Sequence, residues 1–135
     1  MLTSQVEFPP AIRGDTWGRL VPLELLGPDG KTRTPLTPAQ LADLAARFTL
    51  LRFQVRDKYD GQKIILDLSS EAGEIRIDPD LGGVVLEASA AKTSEIEDGQ
   101  ADLQATEPRP GHPRGDLVWT MFYGPFKTLK DITRP

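Results

Sequence analysis

The stretch LLRFQVRDKYDGQKIILDL, residues 50–68, decides the fold of this chain. Its first half places two sets of side chains on opposite faces, with Leu51, Phe53 and Val55 on one face and Leu50, Arg52, Gln54 and Arg56 on the other. A period of two residues is typical of a β-strand with one buried face. The stretch therefore predicts a strand that packs against a core through its apolar face.

The second half predicts that the strand returns as a hairpin. Asp60 and Gly61 suit a tight turn, because both residues tolerate the backbone angles that a reversal requires. Ile64, Leu66 and Leu68 then repeat the alternation. One hairpin is not stable alone in water, so the rest of the chain must supply partner strands and a second layer.

Composition limits the class of protein. The chain has 135 residues, of which 39% are hydrophobic and 27% are charged, and this predicts a single domain, 1–135, with a real core. A net charge of −4 argues against a nucleic-acid partner, which would require a basic excess. Zero cysteines exclude disulfides and fit synthesis in a reducing cytoplasm. No segment resembles a signal peptide or reaches the length of a membrane span, which predicts no membrane insertion.

One short helix is predicted at about residues 37–48. Thr37-Pro38-Ala39-Gln40 has the spacing of a capping box with a first-turn proline, and Leu36 and Leu41 have the spacing of a hydrophobic staple. The apolar positions that follow form one helical stripe, namely Leu41, Leu44, Ala45 and Phe48. This helix should cover part of a β-core.

The remaining segments predict short strands separated by turns. Residues 1–10 are a lead-in that includes a short edge strand at Val6 and Phe8. Further strands are expected at 19–26, 75–77, 84–88, 101–105, 117–123 and 126–132. Pro22 places the first of these at a sheet edge or a bulge, and Gly124-Pro125 should end the strand at 117–123. Residues 107–115 should be a flexible loop, and Ser94 with Glu97 suggests one helical turn. About seven antiparallel strands with one inserted helix predict an Ig-like β-sandwich.

Motifs with a known chemistry are weak in this sequence. Arg-Gly-Asp occurs at 13–15 and 114–116, where a turn is a simpler explanation than an adhesion loop. His112, the single histidine, lies among prolines and has no nucleophile motif to serve. Neither of two carboxylate groups has a metal-loop spacing, namely Asp78 with Asp80, and Glu95 with Glu97 and Asp98. We predict no catalytic residue, no metal site and no cofactor.

Large aromatic side chains leave two alternatives. Trp17, Trp119, Phe122, Tyr123 and Phe126 form either a stacking platform for sugar or, more commonly in a domain of this size, part of a core or subunit interface. The strand at 117–123 is apolar on both faces, which makes it a candidate interface. Strict alternation places Val118 and Phe122 on one side and Trp119, Met121 and Tyr123 on the other.

Short segments in a particular order carry a family resemblance. They run from Ile12-Arg13-Gly14-Asp15-Thr16 through Asp29-Gly30, Pro35-Leu36-Thr37, Phe53-x-Val55-Arg56 and Leu66-Asp67-Leu68. The series continues with Ile75-x-Ile77, Gly83-Val84-Val85-Leu86, Thr93, Gly99 before Asp102-Leu103, Gly124-x-Phe126 and Asp131-Ile132-Thr133-Arg134. This order resembles the N-terminal Ig-like domain of baseplate upper proteins from tailed phages and of related phage and prophage tail proteins. Gln100 and Ala101 stand where the family often has a tyrosine.

The resemblance implies a non-enzymatic structural role in a phage or prophage tail or baseplate. It implies docking to other tail proteins, with self-association also open, in a protein made in the bacterial cytoplasm and carried in the virion tail. A binding module for host carbohydrate or receptor, acting through loops 27–35 and 107–115, is the alternative. A hydrolase using two carboxylates is a third hypothesis, and no motif favours it.

Overall fold

Two antiparallel sheets form the body of the protein, in a computed structural model that describes residues 4–5, 8, 10–58 and 61–129. The strands are β1 (Ser4–Gln5), β2 (Ala11–Ile12), β3 (Trp17–Pro22), β4 (Glu24–Leu26), β5 (Arg33–Pro35), β6 (Leu50–Arg56), β7 (Ile64–Ser69), β8 (Ile75–Asp78), β9 (Gly83–Ala88), β10 (Gly99–Glu107), β11 (Leu117–Phe126) and β12 (Thr128–Leu129). The helices are α1 (Pro38–Arg47) and α2 (Ala90–Thr93). The prediction of a mainly β sandwich with an inserted short helix is confirmed.

The larger sheet has five strands in the order β1-β11-β10-β6-β7. Its pairings are antiparallel except for β1, which runs parallel to β11. The smaller sheet has the order β3-β9-β8 and is antiparallel throughout. Two short ribbons complete the fold, an antiparallel pair of β4 and β5 and a parallel pair of β12 and β2. As Pro22 predicted, β3 is an edge strand.

The hairpin of β6 and β7 forms the centre of the core. Leu51, Phe53 and Val55 are buried, and the alternating residues of β6 face away from the core, as predicted. An aromatic cluster surrounds Phe53, whose ring centroid lies 5.3 Å from Phe8, 5.9 Å from Trp17 and 6.4 Å from Phe126. The two sheets therefore meet across a core that joins distant parts of the chain.

The predicted helix and its cap are confirmed. The hydroxyl of Thr37 accepts a hydrogen bond from Gln40 N at 3.2 Å, and Gln40 Oε1 accepts one from Thr37 N at 2.9 Å. Leu41 and Phe48 are buried, while the rest of the predicted stripe is half-buried. Because this apolar stripe faces inward, α1 packs against β8 and covers one end of the sandwich.

Four local expectations from the sequence differ from the structure. The short helix α2 is capped by Ser89, whose hydroxyl accepts from Lys92 N, and so begins before Ser94. The strand expected at 19–26 is divided at Leu23, whose N–H donates to Gly82 O. Gly124-Pro125 does not end β11, because both residues stay paired with β10. Finally, Ile64 is 47% exposed, since a bulge next to it shifts the alternation of β7.

Some expectations concern residues outside the described part of the chain. They are the turn residue Asp60, Val6 of the lead-in, and the end of the last strand at 130–132. The described part of the lead-in contributes β1 and the buried Phe8. The loop at 107–115, predicted to be flexible, carries hydrogen bonds of its own, including His112 N to Arg109 O at 3.1 Å and Gly115 N to His112 O at 2.9 Å.

Candidate functional site

A bulge in β11 determines which side chains the candidate interface presents. Leu103 of β10 pairs with Phe122, whereas the next residue, Gln104, pairs with Thr120, so Met121 is an extra residue in β11. An extra residue reverses the alternation on one side of it. Phe122 therefore shares the inner face with Trp119, and the prediction that they lie on opposite sides is wrong.

The five predicted interface residues consequently differ in their surroundings. Met121 and Phe122 are buried, with 1% and 5% exposure. Trp119 and Tyr123 are half-buried, and the ring of Trp119 lies 5.6 Å from that of Phe48. Val118 is 57% exposed. Since Met121 and Phe122 are enclosed by the fold, an interface on this strand would use Val118 and Tyr123.

Val118 belongs to a row of side chains across the outer face of the five-stranded sheet. Thr106 pairs with Val118 on one side and with Leu50 on the other, so the three side chains lie next to one another across β11, β10 and β6. Leu50 is 37% exposed. We call Leu50, Thr106 and Val118 the outer strip. Leu50 and Val118 are its apolar members, on a face that also carries the exposed Ile64 and polar side chains such as Arg52 and Asp67.

The polar neighbours of the outer strip form an ion pair. The Arg52 guanidinium donates from Nε to Asp67 Oδ1 at 3.1 Å and from Nη2 to Asp67 Oδ2 at 2.8 Å. These hydrogen bonds lower the pKa of Asp67 and raise that of Arg52. Both side chains remain substantially exposed, so the pair orients the two groups more than it stabilises the fold.

A surface cleft of about 460 Å³ lies beside this pair. Its lining includes the apolar Leu50, the charged Arg52, Asp67 and Lys92, and the hydroxyls of Ser69 and Ser70. Arg52 pairs with Asp67, Lys92 pairs with Glu74 outside the lining, and Glu71 adds a second carboxylate, so the lining carries two positive and two negative side chains. The cleft can therefore offer hydrogen-bond donors and acceptors without a strong preference for an ion of either sign.

Asp102 is the carboxyl with a raised pKa on the outer face. It pairs across the sheet with Tyr123 and with Gln54, and burial by its surroundings is the largest cause of the shift. The positive charge of Arg56 acts in the opposite direction. Asp102 is half-buried, so neighbouring side chains cover part of its carboxyl on this face.

The aromatic platform proposed for sugar binding is not assembled at the surface. Trp17, Phe122 and Phe126 are buried, and Trp17 packs against Phe53 and Phe126 in the core. Only half-buried members of the set remain on the described surface, namely Trp119 and Tyr123. The fold thus uses the larger part of this set for packing, which was the alternative interpretation.

Both Arg-Gly-Asp segments have structural contacts. Arg13 Nε donates to Ile96 O at 2.7 Å, and Gly14 N donates to Thr93 O at 3.3 Å. In the second segment, Asp116 Oδ1 accepts from Arg109 N at 3.0 Å, and Gly115 O accepts from Arg109 Nε at 3.0 Å. These contacts agree with turns that join strands.

His112 and the carboxylate groups also have local partners. His112 Nδ1 accepts from Arg114 N at 3.1 Å. Asp78 Oδ1 accepts from Asp80 N and Leu81 N, and Asp98 Oδ1 accepts from Thr128 N and Oγ1. Within the described residues, no group of three or more His, Cys, Asp or Glu is arranged to hold a metal ion.

Comparison with known proteins adds no family. The chain matches no family model and no curated protein. None of the helices in the part of the chain described by the structure is long and apolar enough to cross a membrane.

Sequence reasoning missed the outer strip and the cleft. Leu50 and Arg52 were assigned correctly to the outer face of β6, but their neighbours on β10 and β7 follow only from strand order and register. The opposite charges of Arg52 and Asp67 were a usable signal, because the predicted hairpin places these two residues on paired strands. Val118 could be identified only as one member of an apolar run.

Proposed function

We propose that this protein is a non-enzymatic structural component of a phage or prophage tail or baseplate, and that it docks to other tail proteins through the outer strip. The observation that carries the proposal is the exposure of Leu50 and Val118 on the same face of the five-stranded sheet. Apolar side chains aligned on one face are the usual centre of a protein interface. The resemblance of the segment order to phage Ig-like domains supports the choice of partner.

Assembly of particles tests the proposal. In a lysogen that carries the gene, deletion should abolish complete infectious particles, and the wild-type gene supplied in trans should restore them. A Leu50→Asp/Val118→Asp variant should be present in the lysate but absent from purified particles, because buried carboxylates at the interface would be unpaired. Immunoblotting of the particles and plaque counts are the measurements.

Leu81→Asp is the matched control. Leu81 is 53% exposed, but it lies in the turn between β8 and β9 of the other sheet. This variant should enter particles as the wild type does. Complete infectious particles from the deletion strain would refute the role in the tail, and normal incorporation of the double variant would refute the outer strip as the docking surface.

A second candidate function is binding of host carbohydrate or receptor. The specific support is the cleft, where hydroxyls of Ser69 and Ser70 lie near the Arg52–Asp67 pair and the apolar side chain of Leu50. Balanced charges next to an apolar side chain suit a neutral ligand rich in hydroxyl groups. Glycan-array binding that is lost in Asp67→Ala and retained in Leu81→Asp would favour this function, and an array without signal would remove it.

A further inference from the structure

The free edge of β7 is covered by Glu74, from the loop after this strand, and by Lys92, from α2. Ser70 N donates to Leu51 O, so this residue faces β6. Because successive residues of a strand alternate, Asp67 and Ser69 direct their main-chain groups away from β6, toward the edge of the five-stranded sheet. Such unpaired groups are a ready template for a strand from another molecule.

Two residues occupy this template. Glu74 binds both main-chain groups of Ser69. Its N–H donates to Ser69 O at 3.1 Å, and its Oε1 accepts from Ser69 N at 3.3 Å. Lys92 Nζ donates to Asp67 O at 2.8 Å. Lys92 and Glu74 also bind each other, with Nζ 2.9 Å from Oε2. Three of the four main-chain groups at Asp67 and Ser69 are thereby taken, two of them by side chains and Ser69 O by the main-chain N–H of Glu74.

The start of β7, before Leu66, is irregular. Val55 pairs with Leu66 and Arg56 pairs with Ile64, so Ile65 is the extra residue of a bulge. A bulge bends and twists its strand, and natural sheets use bulges to prevent edge pairing. The outward positions in the regular part of β7 are therefore 67 and 69, and both carry contacts from Glu74 or Lys92.

We propose that Lys92 and Glu74 form an edge plug that prevents a second copy of this chain from adding to the five-stranded sheet through β7. The plug goes beyond the proposed docking role, since it concerns the isolated protein and the edge of the sheet, whereas docking concerns the outer face. It also restricts the mode of assembly, because partners must meet this sheet face-on or at another edge.

Removal of the two side chains is the test, because it frees Ser69 N and Asp67 O while the main-chain bond from residue 74 to Ser69 O stays. Lys92→Ala/Glu74→Ala should associate into dimers or larger species at concentrations where the wild type does not, as measured by light scattering after size exclusion. Lys63→Ala/Glu97→Ala is the matched control, because among the described residues this exposed Lys–Glu pair, with Nζ 3.0 Å from Oε1, makes its side-chain hydrogen bonds within the pair. The control should keep the mass of the wild type.

A second variant and a second readout protect the test against loss of folding. Lys92→Met keeps the aliphatic stem and loses the ammonium donors, and it should also raise the mass. In dilute Glu74→Ala, the amide of Ser69 should exchange with solvent about tenfold faster, because it loses a charged acceptor. In the associated species this amide should be protected again.

Three results would overturn the plug. The first is that Lys92→Ala/Glu74→Ala and Lys92→Met both fold and keep the wild-type mass. The second is that the exchange rate of the Ser69 amide is unchanged in Glu74→Ala. The third is that the variants associate but the Ser69 amide stays unprotected in the associated species. None of them depends on phage particles, so the plug and the proposed tail function can fail separately.

Discussion

Replacement of Phe53 by alanine is expected to be among the most destabilising single changes in this chain. Phe53 is fully buried on β6, and its ring contacts those of Phe8, Trp17 and Phe126 at 5.3, 5.9 and 6.4 Å. These rings come from the lead-in, the smaller sheet and the end of β11. Loss of the central ring therefore weakens contacts between several elements at once.

The magnitude follows from burial and ring contacts. Truncation of a buried phenylalanine to alanine costs about 3–5 kcal/mol, and aromatic pairs contribute roughly 0.5–1.5 kcal/mol beyond burial. With three rings in contact, we expect a loss of about 4–5 kcal/mol of the free energy of unfolding. This is about a quarter or more of the roughly 5–15 kcal/mol that holds a typical domain together. Phe53→Leu keeps most of the apolar volume and should lose about 1–2 kcal/mol.

Equilibrium unfolding in urea, followed by tryptophan fluorescence, measures the loss. Trp17 stacks on Phe53, so its emission reports directly on the cluster. Val118→Ala is the control, and its exposed side chain should change stability by no more than about 0.5 kcal/mol. A loss below about 2 kcal/mol for Phe53→Ala, at an unchanged denaturant slope, would refute the central position of this ring.

Three further predictions concern a close approach, a helix cap and a titrating turn. Gly83→Ala should cost about 2 kcal/mol or more, because its Cβ would lie 2.2 Å from Val21 O, whereas Gly18→Ala, with 3.7 Å to Leu86 O, should be nearly neutral in thermal unfolding. Thr37→Ala should cost about 1 kcal/mol by loss of the capping box, and Thr34→Ala, on the exposed β5, should cost less in the same assay. Hydrogen bonds from Thr32 and Lys31 lower the pKa of Asp29 to about 2, so its stabilising contribution is complete above the ordinary pKa of 3.8 and is lost as pH falls through about 2. A carboxyl titration by NMR with a midpoint near 3.8 would contradict this.

Local signals in the sequence predicted the elements whose causes are themselves local. The capping box at Thr37 and Gln40 involves atoms within a single turn, and α1 begins where those residues place it. The alternation at Leu51, Phe53 and Val55 predicts a strand with one buried face, and these three side chains are buried. Such patterns act over a few residues, so a single sequence contains the necessary information.

The errors arise where a partner strand decides the outcome. Met121 and Ile65 are extra residues opposite β10 and β6, and nothing in their own neighbourhoods marks them as bulges. Each reverses the inside–outside alternation, so Phe122 turns inward and Ile64 outward. At Ser94 the error has another cause, because Ser89 offers an equivalent hydroxyl and the chain enters the helix at the earlier site. The choice between two adequate caps depends on where β9 ends.

The pairing of strands also bears on assembly. Because the edges are protected, the surface that we propose for docking is the outer face of the larger sheet and not its β7 edge. At the β7 edge, Glu74 and Lys92 bind the main chain directly. On β3, one of the two edge strands of the smaller sheet, Pro22 lacks an N–H and Arg19 pairs with Leu86 on the inner face, and inward charges are a known protection of edges. With β7 and β3 protected in these ways, we propose the outer strip as the more favourable route to a partner. Since that route requires a partner with a matching surface, it is also the more selective one.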